Sequence, residues 1–107
     1  MREIDVGELY RRLGAGDPTL LVDVREPWEH RIASLPGSRL IPLGGLHLRT
    51  DEVEPPPGTL VVTVCHHGVR SLSAAAILEQ AGLADVASLA GGIDAWARLV
   101  DPRVPRY

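Results

Sequence analysis

The run TLVVTV, Thr59 to Val64, constrains this chain more than any other stretch. It is continuously apolar and rich in β-branched residues, the pattern of a strand covered on both faces. Directly after it stand Cys65, His66, His67, Gly68, Val69 and Arg70. An alanine-rich helical pattern then runs from Ser71 to Gln80 and ends before Gly82. A buried strand, a short polar loop and a helix in that order belong to an α/β layer fold with a largely parallel sheet.

The rest of the chain keeps the alternation. Asp5 can cap a first helix that carries Leu9 and Leu13 on one face, with Gly14 as its stop. Leu20 to Val24 reads as a buried strand. Pro27 suits the first turn of a short helix in REPWEHRI. LPGS, Leu35 to Ser38, is a turn, and RLIPL a short strand closed by Pro42. GGLHLRTDEV has room for a helical turn or two, and EPPPG is a loop. DVASLA is a last short strand, and GGIDAWARLV a turn followed by a last helix. A chain of 107 residues suits one domain, 1–107, with 101–107 (DPRVPRY) as an irregular, proline-rich tail.

Bulk properties exclude several functions. The net charge of −3 argues against binding a nucleic-acid backbone. One cysteine forms no internal disulfide, so an oxidising compartment is not implied. MREIDVGELY lacks the apolar block of a secretion signal, and no apolar stretch is long enough for a membrane span. The expectation is a soluble cytoplasmic protein. The chain has no lysine or asparagine, one glutamine and nine prolines; few amides and many prolines are a bias that heat adaptation and a GC-rich genome explain equally well.

The chemistry concentrates where TLVVTV ends. Ligands of open α/β sheets sit beyond the carboxyl ends of the strands, and Cys65 occupies that position. The helix N-terminus after it offers free N–H groups and the positive end of a dipole, which suit an anion or an anionic sulfur. Gly68 permits a tight turn, and Arg70 adds a permanent cation. His66 and His67 can donate hydrogen bonds and carry part of a charge. A metal site is not expected: adjacent residues seldom point at one ion, and no C-x-x-C or H-x-x-x-H pair is present.

CHHGVRS, Cys65 to Ser71, resembles the active-site loop of rhodanese-domain sulfurtransferases. LLVDVREPWE (20–29), LPGSRLIPL (35–43) and LAGGIDAW (89–96) resemble that family's other marks, in family order. The resemblance implies a three-layer fold with a small five-stranded, mostly parallel sheet and helices on both faces. It implies Cys65 as the residue that takes up sulfane sulfur as a persulfide, and no cofactor. One departure stands at ASLPGS, where Ser34 replaces the family's usual histidine, at a position that is generally structural.

Loop length separates two anion chemistries. Cysteine phosphatases place five residues between cysteine and arginine, whereas only His66 to Val69, four residues, separate Cys65 from Arg70. The tighter ring should aim its N–H groups at the Cys65 sulfur, expected open to solvent, and at one added sulfur atom, which favours sulfur transfer over phosphoester or arsenate chemistry. The expected donor is a small anion, thiosulfate or a persulfide, which Arg70 would guide; the acceptor would be a thiol or cyanide. The alternatives are a relay module that receives sulfur from a partner protein and a non-catalytic rhodanese-like binding domain.

Other polar residues read more plainly. Asp23 and Arg25 fit a structural ion pair that supports the site. Glu26 and Glu29 fit a solvated helix face, and Trp28 and Trp96 fit core packing. His30 and His47 are expected to be exposed. Arg103 and Arg106 are either solvated or part of a tail that docks a partner.

Overall fold

The computed structural model describes residues 2–107. These form five strands: β1 (Glu3–Ile4), β2 (Thr19–Asp23), β3 (Arg39–Leu40), β4 (Leu60–Val64) and β5 (Val86–Leu89). The helices are α1 (Val6–Ala15), α2 (Pro27–Ile32), α3 (Leu43–Leu46), α4 (Arg70–Gln80) and α5 (Gly92–Leu99), with a 3-10 turn at Thr50–Glu52. The sheet order is β1-β5-β4-β2-β3, and every pairing is parallel.

The continuous apolar run lies at the centre of the sheet, and all five residues of β4 are buried. Its side chains alternate between two cores, as a pleated strand requires. Leu60, Val62 and Val64 join Val6 and Leu9 of α1 and Ile93 and Trp96 of α5 on one face. Val61 joins Leu46 of α3 and Ala74, Ala75 and Leu78 of α4 on the other, where Cys65 also lies. Thr63 is the polar exception in β4. Its hydroxyl donates to Ser71 O at 2.8 Å and ties the strand to the first turn of α4.

Two local expectations need correction, and one strand was not foreseen. Asp5 caps α1, accepting from Glu8 N at 2.8 Å, but the helix runs past Gly14 and stops at Gly16, which takes the left-handed conformation at φ 73°. Leu13 is therefore on the helix flank, 40 % exposed, rather than in the core. The edge strand β1 has only two residues, Glu3 and Ile4, too few to show a period in sequence.

Candidate active site

Cys65 follows the last residue of β4, and α4 begins at Arg70. The loop between them curls back on the sulfur. Gly68 N donates to Cys65 Sγ at 3.1 Å and Ser71 N at 3.3 Å. Ser71 Oγ stands 3.4 Å from the sulfur and is itself bonded to Ser88 Oγ at 2.6 Å. An anionic sulfur would accept all three bonds.

Two glycines permit this curl. Gly68 has φ 102°, and a Cβ there would stand 3.0 Å from Gly91 N. Gly92 brings α5 against the loop so closely that a Cβ would collide with the carbonyls of Cys65 and His66. Those carbonyls instead accept from Ile93 N at 2.9 Å and Asp94 N at 3.0 Å. With its carbonyls taken by the start of α5, the loop turns amides of the opposite polarity toward the sulfur.

The sulfur is covered, against expectation. Cys65 is 1 % exposed. His66 is half-buried, and its ring lies between those of Tyr107 (centroids 4.0 Å apart, 10° between planes) and His67 (4.0 Å, 20°). The irregular segment 101–107, expected to be either solvated or docked on a partner, packs on the chain's own body. Val104 and Tyr107 rest on the core, and Arg106 reaches Asp94 at 3.4 Å. Trp28 is not in the core: it is 53 % exposed and meets the Tyr107 ring edge-on at 6.0 Å. Trp96 is buried as expected.

Nor is the mouth as cationic as its residues suggest. Both terminal nitrogens of Arg70 are bonded to Glu29, Nη1 to Oε1 at 2.6 Å and Nη2 to Oε2 at 2.9 Å. Glu29 was expected on a solvated face but is 3 % exposed. Its carboxylate also accepts from Glu26 N at 3.0 Å and from the Tyr107 hydroxyl at 2.7 Å. The Arg70 bonds, working against burial, pull its pKa down to about 2. Burial, and then the neighbouring His67, push the His66 pKa below its usual value, so its ring is neutral at neutral pH.

Asp23 and Arg25 form a pair beneath this rim, joined at 2.9 and 2.7 Å, with side chains 1 % and 0 % exposed. Burial opposes the charge on Asp23. The bonds from Arg25 and from His30 Nδ1, at 2.8 Å, outweigh it and hold the carboxyl below its ordinary range. His30 is thereby half-buried rather than free, whereas His47 is exposed as expected. Arg25 Nη1 donates to the Tyr107 hydroxyl at 2.8 Å. Tyr107 therefore bridges two ion pairs, Asp23–Arg25 and Glu29–Arg70.

Of the residues singled out in the sequence, Cys65, Gly68 and Ser71 come together at the sulfur. His66 and Arg70 form the rim, His67 and Val69 are exposed beside it, and Asp23 and Arg25 lie a layer away. Glu29 and Tyr107 were missed. Glu26-x-x-Glu29 forms a capping box, but that pattern predicts a helix start and not a bond to Arg70. His66, His67 and Asp94 place ligand atoms within 4.8 Å of one another. The Asp94 carboxylate is shared with Arg98 and Arg106, and the two imidazoles lie face to face instead of converging on one point. No described helix is long and apolar enough to cross a membrane.

The model of the rhodanese-like domain matches residues 5–99. The chain belongs to the rhodanese-like family. It is 39 % identical over 98 residues to a sulfurtransferase of Allochromatium vinosum, covering 92 % of this chain and 90 % of that one. It is 36 % identical over 100 residues to the probable adenylyltransferase/sulfurtransferase MoeZ of Mycobacterium tuberculosis. That match covers 94 % of this chain but only 26 % of MoeZ. A rhodanese-related protein from Thermoplasma volcanium superposes with a TM-score of 0.84 at 31 % identity, with both chains covered in full. The five-stranded α/β architecture is thus the rhodanese fold, here with an entirely parallel sheet.

Proposed function

We propose that this rhodanese-like domain moves sulfane sulfur through a persulfide on Cys65. The observation that carries the reading is the pair of amides, Gly68 N and Ser71 N, directed at Cys65 Sγ. They stabilise negative charge on that sulfur without a metal or cofactor. In the first step the Cys65 thiolate attacks the outer sulfur of the donor and the donor's remaining fragment leaves with the bonding pair. From thiosulfate the leaving group is sulfite, and from a persulfide it is a thiolate. In the second step a thiol or cyanide takes the outer sulfur and Cys65 returns to thiolate.

The likeness to a sulfurtransferase of A. vinosum and to the probable adenylyltransferase/sulfurtransferase MoeZ of M. tuberculosis supports this chemistry, and a relay in which another protein supplies or takes the sulfur would use the same Cys65 persulfide. The burial of Cys65 favours a different reading, a binding domain in which the thiol is inert packing. Turnover separates them. With thiosulfate or an alkyl persulfide as donor and cyanide as acceptor, the wild type should form thiocyanate and Cys65→Ser should fall to the uncatalysed rate. Equal rates would refute sulfur transfer through Cys65.

A further inference from the structure

A donor that approaches Cys65 finds the one arginine of the loop already occupied. The Glu29 carboxylate grips both terminal nitrogens of Arg70. It stands in the same relation to that guanidinium as the oxygens of an incoming oxyanion would. Two further donors, the Tyr107 hydroxyl and Glu26 N, fix it in place. Arg25 backs the tyrosine in turn. With the His66 ring neutral, Arg70 and Glu29 cancel at the rim. The Asp94–Arg98–Arg106 group carries a net positive charge, but its arginine side chains are 43 % and 61 % exposed and screened by solvent.

A dianion such as thiosulfate would face a fixed carboxylate, and to use Arg70 it would have to break the fork and leave Glu29 buried without its partner. A persulfide carries at most one negative charge and is neutral in the R–S–SH form that the thiolate attacks, so it needs no cation and meets only the amide ring. We infer that Glu29 is a specificity-determining residue, a built-in competitor for Arg70 that selects against dianionic donors and makes an alkyl persulfide, attacked as neutral R–S–SH, the preferred sulfur source. This rests on sulfur transfer through Cys65. In the selected reaction the Cys65 thiolate bonds to the outer sulfur of R–S–SH, the S–S bond breaks, R–S⁻ leaves with the bonding pair, and the outer sulfur keeps its proton.

The test is steady-state kinetics with cyanide as acceptor and two donors, thiosulfate and 2-hydroxyethyl persulfide, on wild type, Glu29→Gln and Tyr107→Phe. The readout is the ratio of the thiosulfate KM to the persulfide KM. It should exceed one in the wild type and fall about fivefold or more in Glu29→Gln, the scale of one partly exposed ion pair. In Tyr107→Phe, which frees the carboxylate without removing it, the ratio should fall by less. An unchanged or raised ratio overturns the inference, because Glu29 would then only position Arg70 or hold the mouth shut. If Glu29→Gln does not fold, the direction of the change in Tyr107→Phe decides. Intact mass is taken alongside. If neither donor adds sulfur to Cys65, sulfur transfer itself is refuted and this inference falls with it. If Cys65 is loaded and the ratio does not move, only the donor selection falls.

Discussion

Two strand ends meet at the mouth of this site, and they are built from different materials. The end of β4 is made of backbone: Gly68 N, Ser71 N and the carbonyls that α5 holds in place. The end of β2 is made of charge: Asp23, Arg25 and Glu29, which reaches across to Arg70 of α4, are joined through the Tyr107 hydroxyl. Backbone amides give a cradle that no side-chain change on the rim removes. The charge network governs which molecules reach that cradle. The first region should therefore control whether sulfur can be held, and the second should control stability and access.

The deepest cut in the charge network should show the largest effect. Arg25→Met leaves the buried Asp23 carboxylate with only His30 and the backbone N–H of residue 25 to meet it, and should cost about 3–5 kcal/mol, read from urea unfolding. A loss of well under 1 kcal/mol would show that the network is ornamental to stability. In the backbone region, Gly68→Ala forces φ 102° on a side chain that presses Gly91 N. It should cost about 1–3 kcal/mol and loosen the amide ring, so sulfur uptake should fall with stability. Uptake that survived intact would show that the ring is not what holds the sulfur.

The contrast also explains what could be read from the sequence. β4, the turn at Gly68 and the start of α4 are contiguous, and their meaning lies in strand periodicity, one glycine and loop length. The amide ring around Cys65 was legible for that reason. The charge network joins residues far apart in the chain: Arg70 and Glu29 are 41 positions apart, Tyr107 and Glu29 are 78. No local pattern marks such partners. Glu29 sits on a short helix between the exposed Trp28 and the polar His30, so a solvated face was the natural reading until the fold turned it inward. The proline-rich segment 101–107 carries no period, and its docking depends on Val104 and on one hydroxyl at Tyr107.

Acid should separate the two regions further. Glu29 has a folded-state pKa of about 2 against 4.5 in the unfolded chain. Its contribution is fully present above pH 4.5 and disappears as pH falls toward 2. Arg70 is 37 % exposed, so screening reduces the contribution to about 1–2 kcal/mol. The stability difference between wild type and Glu29→Gln should shrink across that window, and a difference independent of pH would contradict the assignment. The smallest change concerns access. Tyr107→Ala removes the ring on His66 and two hydrogen bonds, and should raise the rate of Cys65 alkylation by iodoacetamide on the order of tenfold. An unaltered rate would place the cover over the sulfur elsewhere.

The most direct test of the amide-held sulfur is intact mass after incubation with thiosulfate or an alkyl persulfide, followed by desalting. The wild type should gain the mass of one sulfur atom, lose it on addition of cyanide, and show no gain as Cys65→Ser. A wild-type mass unchanged by both donors, or a gain that persists in Cys65→Ser, would contradict the account.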